Sequence, residues 1–308
     1  MIDIKLAPDL LSAIRPTTLI ESSKLNERLG LNLTIAAETF QHTGSFKFRA
    51  AYNLAASVPQ SEILTASSGN FGQALAYACR LLGKKCTVVM PESSAAVKIE
   101  AVRGFGATVD LIDTEKIGRN ERVTQLAQQM PGAYHASAYD DDLVIAGNST
   151  LGEELASGDF DAVVVPVGGG GLVSGIILGL KQSPKPPDIY AAEPLLANDA
   201  TRSFQVGSLI RNETEPQTIA DGARTISLGI RNWPIIRSGV KNFIEVPEQQ
   251  IAEAVRLYYD DANLKCEPTG ALSLGAVLIA PDDFRYKKVC LVVSGGNVDA
   301  NLYKQLLG

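Results

Sequence analysis

A chain of 308 residues is long enough for one large domain or two modest ones with well-formed cores. Hydrophobic residues make up 45% and charged residues 20%, and the net charge of −6 argues against nucleic acid or an anionic membrane as the main partner. No apolar run reaches bilayer-spanning length, MIDIKLAPDL has no signal core behind a basic flank, and the four cysteines lack CxxC spacing. The chain therefore reads as a cytoplasmic protein with reduced, mostly buried thiols at Cys79, Cys86, Cys266 and Cys290.

In chain order, the first clear strand pattern is Leu33–Ala37, followed by Thr43-Gly44-Ser45-Phe46-Lys47-Phe48-Arg49. Lys47 opens a helix among Phe46, Phe48 and small residues, where a partly desolvated amine can act as a nucleophile. The plain alternative is a solvated surface charge, as most lysines are. The strand Ile63–Ala66 then runs into Ser67-Ser68-Gly69-Asn70 and the helical pattern Phe71–Leu82. Two hydroxyls, a glycine and an amide at a helix N-terminus suit a carboxylate, although simple helix capping accounts for the same residues.

Strand Cys86–Met90, helix Ser94–Arg103 and strand Thr108–Ile112 continue the alternation. Strand Asp161–Val167 leads to Gly168, Gly169, Gly170 and Gly171, and then to the apolar helix LVSGIILGL. Residues without side chains at a strand-to-helix turn let backbone N–H groups close around an anion such as phosphate. A tight turn that brings helix and sheet together is the bland alternative, at a high entropic cost for four consecutive glycines. No dinucleotide fingerprint, GxxxxGK[ST] loop or GxSxG elbow is present. Strand Ile189–Glu193 follows, then Glu267-Pro268-Thr269-Gly270-Ala271 before a small-residue helix, and finally strand Lys288–Ser294 running into Ser294-Gly295-Gly296-Asn297.

Near-continuous apolar strands separated by helices imply parallel sheets covered on both faces. The predicted fold class is α/β, with two open twisted parallel-sheet domains and helices on both faces of each. Residues 62–138 are expected to close as a small domain, with 1–61 and 139–308 forming a large cofactor-binding domain. Ligand sites in such sheets gather beyond the C-terminal strand ends, where the glycine loop, the SSGN segment and Ser294 all fall.

FQHTGSFKFRAA, SSGNFGQALA, VGGGGL, EPTGA and VSGGN resemble, in this order, the motifs of pyridoxal 5′-phosphate enzymes related to tryptophan synthase β, known as fold type II. The likeness runs from about Ile14 to Val298 and is closest to the threonine/serine dehydratase and serine racemase branch. It implies a cofactor held between the two domains, with Lys47 joined to it as a Schiff base and moving protons at Cα. Gly168, Gly169, Gly170 and Gly171 would bind its phosphate, Asn70 its phenolic oxygen and Ser294 its pyridine nitrogen, with Phe46 against the ring. Ser67, Ser68 and Asn70 would grip the substrate carboxylate.

The resemblance further implies a divalent cation (Mg²⁺, Mn²⁺ or Ca²⁺) at Glu193, the Ala197 carbonyl and Asp199, a ligand set of hard oxygens. It also implies a homodimer. One departure stands out: Phe71 follows the loop asparagine where relatives often have histidine, which leaves the exact substrate open. The expected activity is an ammonia-lyase that converts a small β-hydroxy amino acid of the L-threonine or L-serine type to a 2-oxo acid and ammonia. Alternatives are a serine or other amino-acid racemase using Ser68 opposite Lys47, and a 3-hydroxyaspartate dehydratase. A non-catalytic amino-acid sensor is opposed by the retention of Lys47 together with the complete glycine loop.

Overall fold

A computed structural model of the protein describes residues 5–67, 69–94 and 96–308, and the chain divides into two compact units. One takes residues up to Arg15 together with Lys47–Gly147, and the other takes Pro16–Phe46 with Asn148–Gly308. The ten strands are β1 (Thr18–Ile20), β2 (Asn32–Ala37), β3 (Glu62–Ala66), β4 (Lys85–Pro91), β5 (Thr108–Ile112), β6 (Tyr134–Ala136), β7 (Ala162–Pro166), β8 (Asp188–Pro194), β9 (Asn242–Val246) and β10 (Lys288–Val293).

The larger unit carries a six-stranded sheet in the order β1-β2-β10-β7-β8-β9. All its pairs are parallel except β1 with β2, an antiparallel edge added by three residues. Side chains alternate across this sheet, so each face builds its own core. Leu33, Ile35, Val164, Ala192, Val289 and Leu291 face the helices Glu248–Ala262 and Pro268–Ile279, while Val163, Val165, Ala191, Cys290 and Val292 face the helix Gly171–Leu180. Burial on both faces is why these strands read as continuous apolar runs.

The smaller unit has a wholly parallel four-stranded sheet, β5-β4-β3-β6. Ile63, Val88 and Met90 share one core with Phe48, Leu54, Phe71 and Leu75, and Leu64, Val89 and Ile112 pack with Val123 and Leu126 on the other side. The fold class expected from the sequence is present, in two parallel-dominated sheets with helices on both faces.

The boundaries of the smaller unit are wider than 62–138. Its sheet is covered on one side by the helix Lys47–Ser57, whose Phe48, Ala51, Leu54 and Ala55 belong to that core. Asn53 on this helix is buried and accepts the Ala7 N–H at 2.7 Å, while its amide donates to the carbonyls of Lys5 and Leu143. That one side chain fastens both the N-terminal segment and the start of the helix Asp142–Leu155 to the unit, satisfying groups that would be costly to bury unpaired.

Candidate active site

Parallel pairing brings the ends of β7, β8 and β10 to one edge of the larger sheet, and the chemistry-bearing loops leave from that edge. Beyond β10, Ser294 is buried, and its hydroxyl has no hydrogen-bond partner among the described residues. A buried hydroxyl left in this state costs about 1–3 kcal/mol, so it is a donor awaiting an acceptor. The Ser294 carbonyl accepts the Phe46 N–H at 3.0 Å, and Ser45 bridges to Gly295. Phe46 is thereby pinned beside the strand end, and Lys47 follows it directly in the chain.

The neighbouring loops interlock through glycines. Gly296 donates to the Gly44 carbonyl and Glu267 to that of Gly295, each through backbone N–H. A Cβ on Gly44, at φ +75°, would lie 2.5 Å from Asn297 Oδ1, and one on Gly270 would lie 2.9 Å from the Gly295 carbonyl. The TGSF, EPTGA and SGGN segments therefore need glycine for close backbone approach as well as for turning.

Gly168–Gly171 leave β7 and open the helix Gly171–Leu180, whose first N–H groups have no intrahelical acceptor. Gly170 adopts φ +92°, and a Cβ there would meet Ile236 Cδ1 at 2.6 Å. A Cβ on Gly168 would come within 3.0 Å of the backbone at Gly222 and Ala223. Packing alone therefore demands glycine at Gly168 and Gly170, the same demand that anion binding would make. The Gly169 carbonyl takes the Gly229 N–H at 3.0 Å and the Asn232 Nδ2 at 3.1 Å, and the Gly171 carbonyl takes the Asn148 Nδ2 at 3.0 Å. Neither asparagine carries a sequence signal, because each partner is remote in the chain.

At the end of β8 the Glu193 and Asp199 carboxyls interact, and both residues are buried, as is Ala197 between them in the chain. Glu193 accepts the N–H groups of Ala200 at 3.2 Å and Thr201 at 2.5 Å. Asp199 Oδ1 accepts from Asn212 Nδ2 at 3.0 Å, and Asp199 Oδ2 has no partner among the described residues. Burial pushes the Glu193 carboxyl up to about 8 and that of Asp199 up to about 6. Two adjacent buried carboxyls raised in this way gain from a bound cation. No group of three or more His, Cys, Asp or Glu side chains placed for a metal occurs among the described residues, so these two carboxylates would need the Ala197 carbonyl and water to complete a shell.

In the smaller unit β3 and β6 are neighbours, with Thr65 opposite Ala136, so the loops after them also share an edge. Lys47 is half-buried at the start of its helix, and Nζ donates to the Ala138 carbonyl at 2.8 Å beyond β6. Nζ also lies 5.7 Å from the centroid of the buried Phe71 ring. Beyond β3, Ser67 Oγ accepts the N–H groups of Gly72 at 3.0 Å and Gly69 at 3.4 Å, which caps the helix Asn70–Leu81. The capping expected of such a loop is present at Ser67, while its hydroxyl proton is still able to serve a ligand. Asn70 is the first helical residue, and Ser68 lies outside the described residues.

The residues fit pyridoxal phosphate in kind: a half-buried amine beside an aromatic ring, an orphaned hydroxyl at a strand end and a glycine loop opening a helix. Residues 10–295 match the family model described as pyridoxal-phosphate dependent enzyme. An L-threo-3-hydroxyaspartate ammonia-lyase from Pseudomonas sp is 37% identical over 310 residues, covering 99% of this chain and 97% of that protein. A serine racemase from Mus musculus is 39% identical over 302 residues, covering 93% of this chain and 88% of that one. A solved threonine deaminase from T.th. superposes with a TM-score of 0.87 at 38% identity, covering 96% of this chain and 99% of the other. By sequence and by fold, the chain belongs to the pyridoxal-phosphate dependent enzymes of fold type II, among their ammonia-lyases and amino-acid racemases.

Proposed function

We propose that the protein is an ammonia-lyase that converts a small β-hydroxy amino acid to a 2-oxo acid and ammonia, with Lys47 carrying the cofactor. The observation that carries this reading is the setting of Lys47, whose amine is bonded to the neutral Ala138 carbonyl and set over the Phe71 ring. Those contacts place the amine at a helix start beside a carbonyl and an aromatic ring, where a lysine can act as a nucleophile or base. When bound, pyridoxal phosphate supplies an electron sink conjugated to the substrate amine, which acidifies Cα–H.

The chain's own groups supply the rest. Lys47 would take the Cα proton on its face of the substrate, and hydroxide would leave from Cβ and depart as water once protonated. Water would then hydrolyse the released enamine, through its imine, to 2-oxo acid and ammonia. Gly168–Gly171 hold the phosphate through N–H groups at the start of a helix. Ser294 Oγ donates to the pyridine nitrogen, a use that relieves its unpaired state. Asn70 meets the phenolic oxygen, Phe46 covers the ring, and Ser67, Ser68 and Asn70 receive the substrate carboxylate. Glu193, the Ala197 carbonyl and Asp199 hold a divalent cation, supported by the unpartnered Asp199 Oδ2 and the raised carboxyls.

The likeness to an L-threo-3-hydroxyaspartate ammonia-lyase over almost the whole chain supports dicarboxylic β-hydroxy amino acids as substrates alongside serine and threonine. The likeness to serine racemases supports racemization through Ser68 as a minor branch. The test is a panel of serine, threonine and 3-hydroxyaspartate stereoisomers, scored for 2-oxo acid release and for inversion at Cα. Ammonia and 2-oxo acid from at least one β-hydroxy amino acid are expected; inversion without release from every member would overturn the lyase reading.

A further inference from the structure

Two buried side chains bond carbonyls of the glycine loop, Asn232 that of Gly169 and Asn148 that of Gly171. In a trans peptide the carbonyl of one residue and the N–H of the next point in opposite directions. Asn232 Nδ2 and the Gly229 N–H both bind the Gly169 carbonyl, so the Gly170 N–H must point away from them. Asn148 Nδ2 binds the Gly171 carbonyl, so the Leu172 N–H points the other way, out of the open end of the helix. Both asparagines are buried at 1% exposure or less, and they come from different helices, Asp142–Leu155 and Asn232–Gly239.

The helix itself fixes the planes from Gly170 onward, the Gly170 carbonyl accepting the Ser174 N–H at 2.9 Å, and the asparagines reinforce that direction at Gly171 and set it at Gly169. Glycine has the widest choice of φ and ψ, so ahead of the helix, at Gly168 and Gly169, the peptide planes are poorly determined unless something outside holds them. Asn232 also makes the turn crowded, since a Cβ on Gly170 would lie 3.1 Å from the Asn232 Cβ.

We infer that Asn148 and Asn232 are positioning residues for the cofactor phosphate, each holding one peptide plane so that an N–H faces the anion. The inference rests on Gly168–Gly171 being the phosphate site. Preorganised donors spend no binding energy on ordering the loop, and losing one buried amide hydrogen bond should weaken phosphate binding about five- to tenfold. The two asparagines hold different peptide planes, so their effects on phosphate affinity should combine by multiplication.

The test titrates cofactor-free protein with pyridoxal phosphate and, separately, with pyridoxal, following the visible absorbance of the bound form. Native protein should bind the phosphorylated form far more tightly. Asn232→Ala and Asn148→Ala should each raise the Kd for pyridoxal phosphate about five- to tenfold and leave that for pyridoxal unchanged. Equal weakening towards both compounds would mean a structural role only, and unchanged affinity in folded variants would overturn the inference. Should either alanine variant fail to fold, the near-isosteric Asn232→Asp and Asn148→Asp replace the donor with an acceptor and must show the same selective loss. Failure of the phosphate-site reading looks different: native protein would bind both compounds alike.

Discussion

The Lys47 ammonium and the Phe71 ring face one another, with Nζ 5.7 Å from the ring centroid. Phe71 is also part of the smaller unit's core, where it packs with Phe48 and Leu75. One residue therefore serves both the fold and the surroundings of the amine. Phe71→Ala should cost about 3–5 kcal/mol of stability, as truncation of a fully buried aromatic does, and show as a lowered melting temperature. Phe71→His should act on specificity. A ring of similar shape, charged only below a pKa that burial and the nearby Lys47 ammonium push under the usual value of about 6.5, would favour a second substrate carboxylate once protonated. The ratio of kcat/KM for 3-hydroxyaspartate to that for serine should rise a few-fold as pH falls through that pKa in Phe71→His and stay flat in the native enzyme. A flat ratio in both would show that Phe71 does not face the substrate side chain.

Lys47 should be the one lysine that carries the cofactor. Borohydride reduction of the holoenzyme followed by peptide mapping should place the pyridoxyl group on Lys47, and Lys47→Ala should abolish turnover by several orders of magnitude. A label on any other lysine refutes the assignment and the mechanism built on it.

Three of the motifs were legible because each lies where an apolar strand ends in glycine or serine and a helix follows, a pattern contained within about ten residues. Gly168–Gly171 after β7, Ser67 after β3 and Ser294 after β10 are all of this kind. Long-range partners leave no such trace. Asn148 and Gly171 are 23 residues apart, and Asn232 and Gly169 are 63 apart, so no local spacing connects them. Strands β1 and β6 escaped notice because three residues are too few to show a period, and β9 because its NFIEV mixes polar and apolar residues at a sheet edge. Because the helix Lys47–Ser57 precedes β3, its place in the sequence points to the large domain. Its packing, fixed by Phe48, Leu54 and the buried Asn53, puts it with the small one.

The Glu193 and Asp199 pair should make the protein's stability depend on divalent cation. A ligand that binds only the native state adds about 2–3 kcal/mol at a hundredfold excess over its Kd. Chelator should lower the melting temperature of the native protein by several degrees and leave that of Glu193→Ala unmoved. Because Glu193 also accepts the Ala200 and Thr201 N–H groups, Glu193→Gln keeps some of that helix contact and separates loss of the cation from loss of the cap. Identical melting of the native protein with and without chelator would rule the site out.

On the proposed function, Ser68 should decide how far the enzyme also racemizes its substrate. Inverting Cα requires a proton on the face opposite the one Lys47 serves, and one lysine cannot readily reach both. In sequence, Ser68 falls between β3 and the helix Asn70–Leu81, whose N-terminal N–H groups favour negative charge. Its neighbour Ser67 is already committed to capping that helix through Gly72, which leaves Ser68 as the other hydroxyl of the SSGN segment. Elimination should still dominate, because departure of the β-hydroxyl competes with reprotonation at Cα. In Ser68→Ala, conversion of L-serine to D-serine should vanish and deamination of D-serine should fall by at least a hundredfold, while deamination of L-serine survives at a reduced rate. The two enantiomers must therefore be assayed separately, by pyruvate release and by chiral analysis of the remaining serine. If Ser68→Ala racemizes as fast as the native enzyme, Ser68 only binds the carboxylate and another group protonates that face.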